Sequence, residues 1–155
     1  MSKLYTFQAK QFIPSTIDEV WDFISSPKNL KKITPPYMGF DIVSESPVDT
    51  MYTGIIVAYK VSPMFGIKMN WVTEITHIED KHYFIDEQRF GPYTFWHHKH
   101  FIKAVAGGVE MTDILHYKVP FGWIGDLVNF LFIRSKLNEI FNYRFKKAEE
   151  IFGKQ

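Results

Sequence analysis

The hydrophobic period of this chain changes at Pro120, from two to three or four, and that change limits the folds open to it. From residue 40 to 119 apolar side chains recur at every second position within short stretches: FDIVSE, GIIVAYKV, GIKMNWVTEITHIE, HYFIDEQRF, YTFWHHKHFIKAV and VEMTDILHYKV. Side chains alternate between the two faces of a strand, so this pattern suits extended segments that bury one face. The breaks SPMFG, EDKH, RFGPY and AGG carry turn residues and are of hairpin length. Parallel neighbours need a crossover of roughly a dozen residues or more, so these strands pair antiparallel. Beyond Pro120 the spacing becomes three to four, through Ile124, Leu127, Val128, Leu131, Leu137, Ile140, Phe141, Phe145, Ala148 and Ile151. That spacing predicts one amphipathic helix of about eight turns.

Ahead of this block, KLYTFQAKQFI alternates as a half-buried strand. In IPSTIDEVWDFIS, Ser15 or Thr16 is placed to cap a helix whose first turn carries Asp18 and Glu19. Ile17, Val20, Trp21 and Ile24 share a face of that helix, and a second short helix in SSPKNLKKITPP is stopped by Pro35 and Pro36. The layout is strand, two short helices, six strands, long helix. It predicts an α+β domain spanning 1–155: a curved antiparallel sheet of about seven strands wrapped around a long C-terminal helix. A hydrophobic fraction of 46% with 17% aromatics points to a heavy core, or to a core with an internal cavity between sheet and helix.

Composition also excludes functions. A net charge of +1 with interspersed signs leaves no basic face for nucleic acid. There is no cysteine, hence no disulfide framework and no thiolate chemistry. The longest apolar run, LVNFLFI at 127–133, falls short of the roughly 20 residues of a membrane span. MSKLYTFQAKQF has no signal-peptide character, so a cytoplasmic location is expected. No Gly-rich phosphate loop, nucleophile elbow or dinucleotide fingerprint is present, so no cofactor is expected.

Three of six histidines fall in WHHKH. Strand parity sets Trp96, His98, His100 and Ile102 on one face, with Phe95, His97, Lys99 and Phe101 on the other. Lys99 belongs in water, which turns the first group inward and leaves His97 outside. In the next stretch Val109, Met111, Asp113, Leu115 and Tyr117 form the apolar row, so Asp113 points inward beside the histidines. Polarity does not decide whether Asp86 or Glu87 faces in. Three readings of the cluster stay open: a structural polar network, a ligand-orienting or acid–base site, and an H-x-H metal site. With no cysteine and no clear third ligand, no metal is expected. Glu74 and Glu87 read as solvated, and Arg144 as the partner of a carboxylate or of backbone carbonyls, with a pocket role as the alternative. Tyr37, Met38, Met64 and Phe65 read as a lid over an entrance.

The segments PSTIDEVWDFISSPKNLKKITPP (14–36), WVTEI (71–75), FIDEQRFGPYTFWHHKH (84–100) and MTDILHYKVPFG (111–122), with Arg144 in FNYRF, resemble the START-like, or SRPBCC, superfamily. More narrowly, the chain is similar to bacterial ligand-binding, polyketide cyclase-like members. The resemblance implies the helix-grip fold and a cavity for a hydrophobic small molecule, whether aromatic, polyketide-like or lipid-like. Trp71, Trp96, His98, His100, Met111, Asp113, Leu115 and Tyr117 would line that cavity. Some members catalyse aldol-type cyclisation or dehydration. In such an enzyme His98 or His100 would serve as acid or base, Asp113 would orient it, and Tyr117 would donate to an oxyanion. A regulator that binds another protein is a third possibility.

Overall fold

The computed structural model describes residues 3–44 and 49–154. In β1 (Tyr5–Ile13) Tyr5, Phe7 and Ala9 turn inward while Thr6, Gln8 and Lys10 are exposed, as the alternation requires. β2 (Asp41–Ile42), β3 (Ile56–Val61), β4 (Met69–Glu79), β5 (Tyr83–Phe90), β6 (Phe95–Val105) and β7 (Gly108–Lys118) follow as a meander. The sheet order is β1-β7-β6-β5-β4-β3-β2, and every pairing is antiparallel. Among the described residues, only the β1–β7 pairing joins strands distant in sequence. FDIVSE contributes less strand than its alternation suggests: two residues pair, Val43 adds one bond to the Ala58 carbonyl, and residue 45 lies outside the described residues.

Two short helices fill the connection after β1. The Thr16 hydroxyl accepts from the Glu19 amide at 3.2 Å, and the Glu19 carboxylate accepts from the Thr16 amide at 3.3 Å. This reciprocal cap starts α1 (Ile17–Ile24), which buries Val20 and Trp21. Thr16→Ala is expected to cost about 1 kcal/mol, seen as a lower urea midpoint with unchanged slope. α2 (Pro27–Leu30) and two 3₁₀ turns, Lys31–Ile33 and Pro36–Met38, carry the chain to the sheet edge.

The C-terminal helix is continuous but not uniform. α3 (Gly122–Val128) runs through a π turn (Asn129–Ile133) into α4 (Arg134–Phe152), with helical backbone at both junctions. The wider turn lets residues four apart stay in one row, and Gly125, Asn129, Ile133, Leu137 and Phe141 are the buried row. Gly125 sits so close to the sheet end that a Cβ there would lie 1.9 Å from the Pro120 carbonyl oxygen. The helical spacing placed Ile124, Leu127, Leu131 and Ile151 on the core side, but all four are exposed. An unbroken 3.6-residue period does not apply across the π turn, so the apolar stripe of α3 is rotated away from the sheet.

The core divides in two. One cluster, with Val20, Trp21, Val57 and Val109, packs under α1 at one end of the sheet. The other, Leu115, Tyr117, Val119, Ile133 and Leu137, fills the end where the long helix begins. Between them the helix stands off the sheet.

Candidate functional site

The space between the two clusters is a cavity of about 180 Å³, bounded by β1, the short helices after it, β3 to β7 and α4. Its walls are mainly apolar. Trp71 and Trp96 meet edge to face with ring centroids 5.0 Å apart, and Met38, Phe40, Ile75, Met111 and Phe141 complete much of the rest. The volume is comparable with the roughly 150 Å³ apolar cavities that accept benzene.

One wall is charged. Two hairpins build it, and their connections set its register. The two-residue turn Ala106–Gly107, with Gly107 at φ 81°, pairs His100 with Asp113. The β5–β6 connection is longer: Gln88 braces it by donating to the Tyr93 carbonyl at 2.6 Å, pairing begins at Glu87 opposite His97, and Asp86 lies opposite His98. Three adjacent strands thereby aim four titratable side chains at one spot.

The contacts within this spot are tight. His98 donates through Nε2 to Asp113 Oδ1 at 3.0 Å. His100 donates through Nε2 to Asp86 Oδ2 at 2.7 Å, and its Nδ1 lies 2.8 Å from Asp113 Oδ1. The two imidazoles are 3.8 Å apart, and Phe84 stacks on His100 at 4.2 Å. Arg144 reaches in from α4, with its guanidinium 5.2 Å above the Phe141 ring. Its Nε is buried without a hydrogen-bond partner, and it forms no ion pair within 4.0 Å of a carboxylate among the described residues.

Charge follows from this geometry. Burial opposes a proton on His100, but hydrogen bonds to Asp113 and Asp86 outweigh it and raise the pKa to about 9. Burial and the neighbouring His100 charge push His98 below the ordinary imidazole range, leaving it a neutral donor to Asp113. Burial alone would raise both carboxyls; His100 reverses this at Asp86, and His100 with His98 does so at Asp113. Burial lowers the Arg144 pKa, opposed by the fields of Asp113 and Asp86. Two carboxylates, one imidazolium and one guanidinium therefore face each other with no net charge.

The sequence-derived candidates divide. Trp71, Trp96, His98, His100, Met111 and Asp113 all line the cavity. Leu115 and Tyr117 do not, although both are fully buried. Ile133 and Leu137 descend on that end of the sheet and fill the space. The Tyr117 hydroxyl donates to Asn129 Oδ1 at 2.8 Å, so it is committed to the π turn rather than free for an oxyanion.

The residues alone leave Asp86 undecided and read Arg144 first as a structural partner and second as a pocket residue. Counting residues out from a two-residue turn at Gly91–Pro92 would set Asp86 opposite His97, one residue from its actual partner His98, so the register of this longer connection is not readable from the turn. No local signal marks Arg144 for the cavity. Glu74 and Glu87 are not simply solvated: on the outer face Arg89 bridges both, at 2.5 and 3.3 Å. His97 shares that face, 3.7 Å from Glu87. The supposed lid also separates: Met38 lines the cavity, Met64 packs on the second core cluster, and Tyr37 and Phe65 are exposed.

Asp86, His98 and His100 each bring a ligand atom within 4.8 Å of the others, so the third metal ligand missing from the sequence reading exists in space. The cluster's charge balance opposes that use. A dication would have to displace the His100 proton and face Arg144 across the same carboxylates.

No family model and no curated protein matches the chain. Solved structures do. CV1439 from Chromobacterium violaceum aligns with a TM-score of 0.71 at 11% identity, covering 97% of this chain and 98% of that one. TTHA0849 from Thermus thermophilus aligns at 0.69 and 16% identity, covering 94% and 95%. A norcoclaurine synthase from Thalictrum flavum, in complex with a transition-state analogue, aligns at 0.67 and 13% identity, covering 97% and 98%. Identities this low carry the fold alone. The chain has the helix-grip fold of these proteins, a seven-stranded antiparallel sheet closed on a long C-terminal helix.

Proposed function

We propose that this protein binds a hydrophobic small molecule in the cavity, in the manner of the cytoplasmic ligand-binding SRPBCC proteins it resembles. The observation that carries the reading is the pairing of an apolar chamber with a single charged wall. An apolar chamber alone would hold any greasy molecule. Arg144, whose buried Nε is unpaired and which has no carboxylate within ion-pair distance among the described residues, adds a donor for an acceptor group at one end of the ligand. The ligand class is therefore a compact aromatic or lipid-like molecule bearing a carbonyl, phenol or carboxylate.

Two dyes of one skeleton test this. Anilinonaphthalene sulfonate carries an anion, and N-phenyl-1-naphthylamine lacks it. Both are expected to bind the folded protein, with near-UV circular dichroism unchanged. Arg144→Met is expected to weaken the sulfonate dye about tenfold or more, the loss of a charged hydrogen bond, while the neutral dye is little affected. Equal weakening of both dyes would remove Arg144 from recognition. Binding only to partly unfolded protein would remove the cavity from it.

A second reading has its own support. A neutral His98 held by Asp113 at the cavity wall is the arrangement of a general base and its orienting carboxylate. The synthase of the same fold is an enzyme, so the architecture hosts catalysis elsewhere. In that case His98→Gln would still bind a molecule retained from the host but would no longer convert it, which mass spectrometry of the bound species would reveal.

A further inference from the structure

The apolar side chains excluded from the core form a patch where the long helix begins. Phe121 is 81% exposed, Trp123 76%, Phe130 77%, and Ile124, Leu127 and Leu131 are exposed beside them. The β3–β4 loop joins the patch, because Phe65, 76% exposed, meets Phe132 edge-on with ring centroids 6.0 Å apart. Phe121, Trp123, Phe130 and Phe65 are each more than three-quarters exposed, so they project from the surface rather than line a groove. A protein partner recognises projections only if it supplies matching pockets, whereas a fluid lipid phase accepts them without shape complementarity.

Backbone conformation marks the same residues. Phe65 and Phe121 adopt φ of 54° and 67°, left-handed values that are unfavourable for a bulky side chain. Each is followed by a glycine also at positive φ, Gly66 at 65° and Gly122 at 54°. Two separate loops thus spend backbone strain to hold a phenylalanine out in solvent, where it contributes nothing to the core.

Charge points to the kind of surface. Residues 62–68 and 118–134 contain three cations, Lys68, Lys118 and Arg134, against one carboxylate, Asp126. That carboxylate accepts the Tyr5 hydroxyl at 2.9 Å and is half-buried. Exposed Phe and Trp beside an excess of Lys and Arg is the composition of an interfacial anchor on anionic lipid. Pro63 and Leu137, two and five residues from Phe65 and Phe132 in sequence, line the cavity. We infer that this end of the molecule docks peripherally on an anionic phospholipid surface, with Phe65, Phe121, Trp123 and Phe130 entering the headgroup layer.

Flotation of the whole protein with vesicles tests the inference, using phosphatidylcholine alone and an equal mixture with phosphatidylglycerol. Wild-type protein is expected to float with the mixture, less with phosphatidylcholine alone, and less again at high salt. The variant Phe65→Asn, Phe121→Asn, Trp123→Ser is expected to lose at least tenfold in partitioning. Asn tolerates left-handed backbone, so the melting temperature of this variant should hold or rise, separating lost docking from lost folding. Failure of the wild type to float, or equal flotation of the variant, would overturn the proposal. So would a wild-type dimer in solution that the variant converts to monomer, which would make the patch an interface between copies.

Discussion

Replacing Asp113 with alanine is expected to destabilise the protein by about 3–5 kcal/mol. Hydrogen-bond counting alone puts the loss at about 1–3 kcal/mol. The difference lies in charge. Asp113 is 2% exposed, accepts from His98 and sits 2.8 Å from His100 Nδ1. Without it the His98 N–H is unpaired, and the buried imidazolium and guanidinium keep only Asp86 between them. The protein must then retain an uncompensated positive charge or release the His100 proton. Asp113→Asn preserves shape and one acceptor, so its loss should be smaller but still larger than that of a surface change. His97→Ala, on the outer face, should stay within about 0.5 kcal/mol. Urea unfolding of the three variants measures all of this. An Asp113→Ala loss no larger than that of His97→Ala would mean the cluster does not carry the charges described.

The second large effect is on pH dependence. Stability is expected to fall as pH rises between about 6.5 and 9, by roughly 3 kcal/mol in total. His100 moves from an ordinary pKa of 6.5 to about 9 in the folded state. Across that window the folded protein holds a proton that the unfolded chain has released, so raising the pH favours unfolding. The contribution is complete below about 6.5 and gone once the pH passes 9. The acid side runs the other way. The depressed carboxyls of Asp86 and Asp113 stabilise at pH above their ordinary value and lose that contribution as acid protonates them in the fold. His98, held neutral, also loses its contribution on acidification, because the unfolded chain takes up the proton first. These opposing slopes place the cluster's greatest contribution near pH 6.5. Melting temperatures from pH 5 to 10 should show the alkaline decline in the wild type and a flatter curve in His100→Gln. A wild-type curve flat from 7 to 9 would sink the assignment of a proton to His100.

Much of the site was legible without coordinates. Lys99 marks the wet face of β6, and parity then turns Trp96, His98 and His100 inward. The apolar row of β7 carries Asp113 with it. The turn at Ala106–Gly107 fixes which inward residues meet. Asp86 was not within reach of the same count, because a two-residue turn at Gly91–Pro92 would set it opposite His97, whereas the longer β5–β6 connection sets it opposite His98. The other placements are consequences of local geometry: the side-chain period of a strand is two, and a short hairpin admits few registers.

Arg144, Leu115 and Tyr117 illustrate the limit. Leu115 and Tyr117 obey the inward parity of their strand, yet they face packed side chains and not open space. Parity selects a face of the sheet, but which part of that face stays uncovered depends on where the helix comes down. The close approach at Gly125 and the π turn at Asn129–Ile133 decide that. They press Ile133 and Leu137 onto Leu115 and Tyr117 and leave the cavity farther along, where Arg144 enters. They also rotate the apolar stripe of α3 into solvent, although its spacing reads as a core face. The sequence by itself determined the strands, their inward residues and the pairing of His100 with Asp113, because each follows from periods and turns of a few residues. Only the tertiary structure decided where the hollow lies and which apolar face stays bare, because both depend on how one helix meets one sheet at distances no local period encodes.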